Sequence, residues 1–248
     1  MSAREIMALL DSWLLRQLKA ETTSWLRETC ATIAHDGAST RTLFIAFGIV
    51  GRRSGRADVP LSADDRAAAL SARRGWDPSR WSLDQMARTR LVLAMPATDQ
   101  RVWLTTLDQL FAAAGLEELV ALYQALPLLP HQELLAPRIA EGVRSNMKPV
   151  FNAIALDNPA PSERLDEGAW NQLVLKALFI ASPVARIVNA TARANTTLAQ
   201  MLIDYARERL AAQRPVPVDL WDAARPGCNL IQRAELNRLH ASAPAVTA

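Results

Sequence analysis

The chain has 248 residues, half of them hydrophobic, with 28 Lys and Arg against 25 Asp and Glu and a formal charge of +3. That length can bury a substantial core. The interspersed charge, with no basic stripe threaded by aromatic residues, argues against a nucleic-acid surface. Nine glycines are few for such a chain, which points to helices, because sheet proteins spend glycine on turns.

The N-terminal run "MSAREIMALLDSWLLRQL" places Ile6, Leu9, Leu10, Trp13, Leu14 and Leu18 on one helical stripe. Glu5 and Asp11 interrupt it, so it is not a secretory signal. Thr22 or Thr23 is expected to restart a helix carrying Trp25, Leu26, Cys30 and Ile33. After "HDGAST", Ser39 or Thr40 is an N-cap candidate for "RTLFIAFGIVG". Its Leu43–Val50 stretch would also suit a strand, but with no partner strand in view it reads as a buried helix. "GRRSGR", Gly51 to Arg56, is the densest basic cluster and reads as a solvated interhelical loop.

Further along, "LSADDRAAALSARRG" opens on a Ser-x-x-Asp box and closes at Gly75. Ser82 and Asp99 are N-caps for the next two helices, and Gly115 is a candidate stop for the second. Pro127 ends "LEELVALYQALPLL", and Pro137 kinks or restarts "HQELLAPRIAEGVRSN". "MKPVFNAIALDN", "TTLAQMLIDYARERLAAQ", "PVDLWDAARPG" and "LIQRAELNRLH" continue the pattern. No segment approaches the roughly 18–20 apolar residues of a membrane span. The chain is therefore expected to be cytoplasmic, with peripheral membrane contact left open. Cys30 and Cys228 lack CxxC spacing and read as free thiols. His35, His131 and His240 show no ligand spacing, so neither a metal nor a cofactor is expected.

About a dozen amphipathic helices with short connections make an all-α fold. The expected architecture is a stack of irregular helical hairpins resembling a HEAT-like α-solenoid, with a compact helical bundle as the alternative. Residues 1–240 are expected to form a single domain and 241–248 a disordered tail.

One stretch departs from this background: "NPAPSERLDEGAWNQLVLKALF", Asn158 to Phe179. Its second half is apolar almost all round. At 100° per residue Trp170, Val174, Ala177, Leu178 and Ala181 share one face, and Gln172 and Lys176, four apart, share a polar strip. Pro159 and Pro161 are expected to hold the lead-in extended. Asp166 suits the N-cap, and Glu167 suits the first turn beside the positive end of the helix. Arg144, Asn146 and Asn152 lie upstream; Arg186, Arg193, Asn195 and Tyr205 lie downstream. An arginine-rich rim beside a polar strip would suit an anionic or polyhydroxylated ligand.

At these residues the chain resembles the EboA family. "ALYQALPLLP", "EGVRSNMKPVFNAIALDNPAP", "DEGAWNQLVLKALFIASPVARI" and "RANTTLAQMLIDYARERLAAQRPV" carry the likeness, and "GWDPSRWSLDQMAR" is similar to the family's middle region. The likeness covers Trp76 to Trp221 and, more weakly, the N-terminal helices. Ala160 departs from it, standing where the family pattern favours an aromatic, typically Tyr. The resemblance implies an accessory role in the traffic or elaboration of a bacterial secondary metabolite, such as moving a precursor towards the periplasm. It implies no reaction.

The chain carries no Gly-rich phosphate loop, no GxSxG and no metal spacing. The expected function is thus a non-catalytic scaffold or carrier whose partners are a small-molecule metabolite or proteins of the same pathway. The candidate ligand-binding residues are Arg144, Asn146, Asn158, Glu163, Asn171, Gln172, Lys176 and Arg186; none is assigned a catalytic or metal-binding role. The alternative is an enzyme with Glu163 or Asp166 as acid/base and Lys176 as electrostatic stabiliser. A third reading is a protein-interaction module that takes no small ligand.

Overall fold

The structure is a computed structural model that describes residues 3–35 and 40–243. Among them the chain forms fourteen α-helices and no strand; an isolated bridge joins Asp58 and Ser82. The all-α expectation holds. No helix among the described residues is long and apolar enough to cross a membrane. The chain divides into two compact units, Met1–Ala160 and Pro161–Ala248.

The first unit contains α1 (Ala3–Leu15), α2 (Ala20–Ile33), α3 (Thr40–Ser54), α4 (Ala63–Ala72), α5 (Leu83–Val92), α6 (Gln100–Ala113), α7 (Leu116–Ala125), α8 (Ala136–Arg144) and α9 (Lys148–Ala155). Helices α3, α5, α7 and α9 pack in succession as a row, and α1 and α2 also lean on α5. Helix α6 joins through Phe111, edge-on to Tyr123 of α7, and through Asp108, which pairs with Arg138 of α8 at 2.6 Å. This is a stacked arrangement, as amphipathic helices with short connections require.

Several starts follow from capping chemistry. Ser62 and Asp65 form the predicted box, each side chain accepting the other's backbone N–H. Asp99 accepts from the N–H groups of Arg101 and Val102. Pro137 restarts a helix instead of kinking one, because it falls in the first turn of α8, where its missing N–H costs nothing.

The deepest polar feature of this unit is ionic. Asp84 and Arg88, one turn apart on α5, form an ion pair with side chains only 2% and 3% exposed. Arg88 Nε also donates to the Phe47 carbonyl of α3 at 3.2 Å, and the Ser82 hydroxyl donates to Asp84 at 2.6 Å. Both charges therefore have further hydrogen-bond partners, which burial demands of an ion pair.

The structure corrects several local expectations. Helix α2 begins at Ala20, ahead of Thr22, and Thr23 turns its hydroxyl back to the Lys19 carbonyl. "GRRSGR" is not simply a loop: α3 runs to Ser54, so Arg52 and Arg53 occupy its last turn, where cations oppose the negative helix end. Gly115 is not a left-handed stop; its φ is −76° and it is the N-cap of α7, donating its N–H to Glu118. The Pro159–Pro161 segment is not extended throughout: Ala160–Arg164 forms a single helical turn, α10. Proline is tolerated there because first-turn N–H groups lack intrahelical partners. The N-cap candidate Ser39 and tail residues 244–248 lie outside the described residues, and the last helix reaches Ser242.

The second unit holds most of α10, then α11 (Glu167–Phe179), α12 (Thr196–Ala211), α13 (Val218–Ala224) and α14 (Leu230–Ser242), with a 3₁₀ turn at Val184–Arg186. Helix α12 is its centre and packs on α11, α13 and α14.

Candidate functional site

Helix α11 starts as its sequence requires. Asp166 accepts the Ala169 N–H at 2.7 Å, and Glu167 follows in the first turn. Trp170, Leu173, Val174, Ala177 and Leu178 are buried, so the apolar face extends to Leu173. Ala181, expected on that face, is exposed because the helix has already ended. It sits at φ 51° while the Ser182 N–H reaches back to the Ala177 carbonyl at 2.8 Å. This is the left-handed helix stop that normally favours glycine.

Gln172 is exposed and Lys176 half-buried, so the predicted strip lies along the outer side of α11. Burial lowers the Lys176 ammonium below its ordinary pKa. Val174 lies two residues from each, about 200° around the helix, so the strip and the Val174 face point in opposite directions.

Asn171 is the polar residue of α11 that goes inside, at 2% exposure. Its amide and that of Asn195 bond reciprocally at 3.2 and 2.9 Å. Asn195 also caps α12, accepting the Leu198 N–H at 2.8 Å. Gly227 closes the knot: a Cβ there would lie 2.4 Å from the Asn195 carbonyl oxygen, so no larger residue fits. Beside the knot the Arg193 guanidinium covers the buried Trp170 ring at 4.6 Å and donates to the Ser162 carbonyl at 3.1 Å. Asn189 donates to the Ser162 hydroxyl at 3.1 Å. Through these contacts the 189–195 loop is fastened to both α10 and α11.

Next to this knot a cleft of about 300 Å³ opens between α11, the Val184–Arg186 turn, α12 and α13. Its floor is apolar, with Val174, Val184 and Leu198. Its polar groups are the carboxylates of Asp219 and Asp222, three apart on α13, and the Thr191 hydroxyl. Asp219 is held in place by the Val184 N–H at 3.2 Å. None of the described residues lining it is basic. The volume is at the small end of ligand pockets. Its chemistry suits an apolar body bearing a cation or a hydrogen-bond donor, since carboxylates only accept.

The eight expected site residues fall in different places. Arg144, Asn146 and Asn158 belong to the first unit, and Glu163, Asn171, Gln172, Lys176 and Arg186 to the second. Arg144 ends α8 and Asn146 lies in the break before α9, both exposed. Asn158 is 3% exposed; it donates to the Tyr123 and Ala153 carbonyls, both at 3.1 Å, and accepts the Ala160 N–H at 3.0 Å. Ala160, the departure from the family pattern, is fully buried beside it. Glu163 is exposed on α10 and Arg186 is half-buried in the 3₁₀ turn. None of the eight lines the cleft. Asp219 and Asp222 do not stand out in the sequence, because "PVDLWDAARPG" reads as one more short helix. The available signal was a pair of carboxylates at i, i+3 framed by Pro217 and Pro226.

A protein-family model described as metabolite traffic protein EboA matches residues 6–225. The chain belongs to the EboA family. Its match covers all of α1 to α13 except the first three residues of α1. No curated protein and no solved structure is significantly similar to this EboA-family chain. The family description points to a metabolite-related role and names no ligand. In this EboA chain both cysteines are free, and burial pushes the Cys30 thiol up to about 11, against the pull of Arg90, so it stays protonated.

Proposed function

We propose that this EboA-family chain is a non-catalytic carrier that holds a small metabolite in the cleft of its second unit. The observation that carries this reading is the cleft itself: an apolar floor of Val174, Val184 and Leu198 with Asp219 and Asp222 as its charged groups. Most of the volume would be filled by hydrophobic contact, and the carboxylates would orient one donor-bearing end of the ligand. The polar strip of Gln172 and Lys176, with Arg144, Asn146, Glu163 and Arg186, is then read as surface for proteins of the same pathway. The α3–α5–α7–α9 row is read as HEAT-like, which would suit a scaffold that presents such surfaces. We also read the chain as a cytoplasmic member of a secondary-metabolite cluster.

Native mass spectrometry of protein purified from cells carrying the neighbouring genes tests the carrier reading. The wild type is expected to carry a stoichiometric small molecule that is lost in Ala223→Trp, which fills the cleft, and kept in Gln172→Ala. Protein that carries no small molecule, or that keeps it after filling, would overturn the reading.

One observation favours an enzyme instead: burial holds the Lys176 ammonium below its ordinary pKa, a feature of functional lysines. Of its proposed acids, Asp166 already accepts the Ala169 N–H. Metabolite output that survives the double change Glu163→Ala and Lys176→Ala would end that reading.

A further inference from the structure

The exposed apolar residues of this chain are not alike. Leu15, Ile45, Leu70 and Val102 are single side chains 51–58% exposed, each on a helix whose other faces are packed. Scattered residues of that kind are ordinary. Leu230 and Ile231 are different: they are adjacent, they open α14, and they are 88% and 80% exposed. Two neighbouring aliphatic side chains held almost wholly in water oppose the main driving force of folding. They also lie beyond residue 225, where the family match ends, so the EboA description does not account for them.

The first charged residue met along the chain on either side of the pair is an arginine, Arg225 before it and Arg233 after it. Arg225 and Arg233 are both exposed; Arg225 lies in the 3₁₀ turn just before α14, and Arg233 lies in the first turns of α14, one turn on from Leu230. The capping box takes up the Gln232 N–H on Asn229 and the Asn229 N–H on Gln232. That leaves the N–H groups of Leu230 and Ile231 at the positive end of a 13-residue helix. On α14 the acidic residue is Glu235, which is half-buried and paired with Arg207 and Arg238. The tip therefore combines an aliphatic point, two arginines and outward-facing helix N–H groups.

We propose that the Leu230–Ile231 tip, flanked by Arg225 and Arg233, docks the protein on an anionic bilayer surface. The aliphatic pair enters the boundary between headgroups and acyl chains, and the arginines bind lipid phosphates while their stems lie along the apolar layer. With so small an apolar point the attachment is reversible and depends on both signals together. A carrier docked in this way would be positioned to exchange its cargo at the membrane, but the docking does not depend on the cleft being occupied.

Sedimentation of the full chain with vesicles tests it, comparing phosphatidylglycerol/phosphatidylcholine mixtures with pure phosphatidylcholine at low salt. Binding is expected on the anionic vesicles only. It should fall about tenfold or more in Leu230→Ser/Ile231→Ser and in Arg225→Gln/Arg233→Gln, and weaken as salt is raised. All four side chains are exposed, so unchanged thermal melts are expected and would confirm that the variants fold. Equal binding to both vesicle types, no binding to either, or full binding by the Ser variant would overturn the proposal. So would a concentration-dependent dimer that the Ser variant abolishes, since that would assign the face to a second copy of the chain.

Discussion

The two units solve one problem with different chemistry. Each ties neighbouring segments together through a polar contact inside an apolar core. The first uses the Asp84–Arg88 ion pair, anchored to α3 through the Phe47 carbonyl. The second uses the neutral Asn171–Asn195 amide pair, anchored to α12 by the Leu198 N–H. A buried ion pair is expensive to desolvate and punishes the loss of either partner. An amide pair costs less to bury and leaves a milder defect when broken. The clefts follow the same division. In the first unit, a cleft of about 200 Å³ has Asp11 and Arg90 among its lining residues, and these pair with each other at 2.8 Å. In the second, Asp219 and Asp222 stand over an apolar floor, and none of the described residues lining it is a cation. The first-unit cleft thus has a carboxylate paired with an arginine at its wall, and the second-unit cleft has two carboxylates.

The largest loss is expected from Arg88→Met. It strands the Asp84 carboxylate in the core and is expected to cost about 3–5 kcal/mol, read from urea unfolding midpoints at constant slope. If Arg88→Met combined with Asp84→Leu recovers most of the loss, the cost was the orphaned charge and not the lost volume. A smaller effect is expected from Asn171→Ala, about 1–3 kcal/mol, because the Asn195 amide is left under-satisfied. A double-mutant cycle with Asn195→Ala should return a coupling of about 0.5–3 kcal/mol. A coupling near zero would mean that the amides merely sit side by side.

Ala181→Gly should act in the opposite direction. Ala181 holds φ 51° at the end of α11, a conformation that costs a residue with a Cβ about 1–2 kcal/mol. The glycine is expected to raise stability by up to about 1 kcal/mol, net of the added freedom of the unfolded chain. A further effect is one of pH. Partial burial would raise the Asp65 carboxyl, but Arg16, the Ser62 N–H and hydroxyl, and the Trp13 indole together bring it down to about 2. A depressed carboxyl contributes stability that is present above its unfolded pKa and fades as pH falls from about 4 towards about 2. Unfolding midpoints across that window should fall more for the wild type than for Asp65→Asn.

Much of the fold was legible because helix period and capping are local properties. Ser62, Ser82, Asp99 and Asp166 were identifiable from neighbours three residues away, and each stands at its helix start. Gly115 was misread because a glycine between two helices can stop one or start the next, and only the backbone angle decides. The site was less legible. Periodicity could place Gln172 and Lys176 on one strip, but not show that it faces away from the cleft. The partnership of Asn171 with Asn195 spans 24 residues, and the Gly227 contact joins a third segment. Contacts of that kind arise from tertiary packing, which local spacing does not encode. Asp219 and Asp222 became notable only once the floor beneath them was visible.

The cleft of the second unit is proposed to bind a small apolar molecule carrying a donor group. The most direct test is the shift in unfolding midpoint caused by phenethylamine, set against phenylpropionate of similar size. Phenethylamine is expected to stabilise the wild type, by about 2.7 kcal/mol at one hundred times its Kd. It should not stabilise Ala223→Trp, and phenylpropionate should have little effect on either. Stabilisation by neither compound, or an equal shift in the filled variant, would contradict the claim; a larger shift with phenylpropionate would keep the cleft but reverse the charge of its ligand.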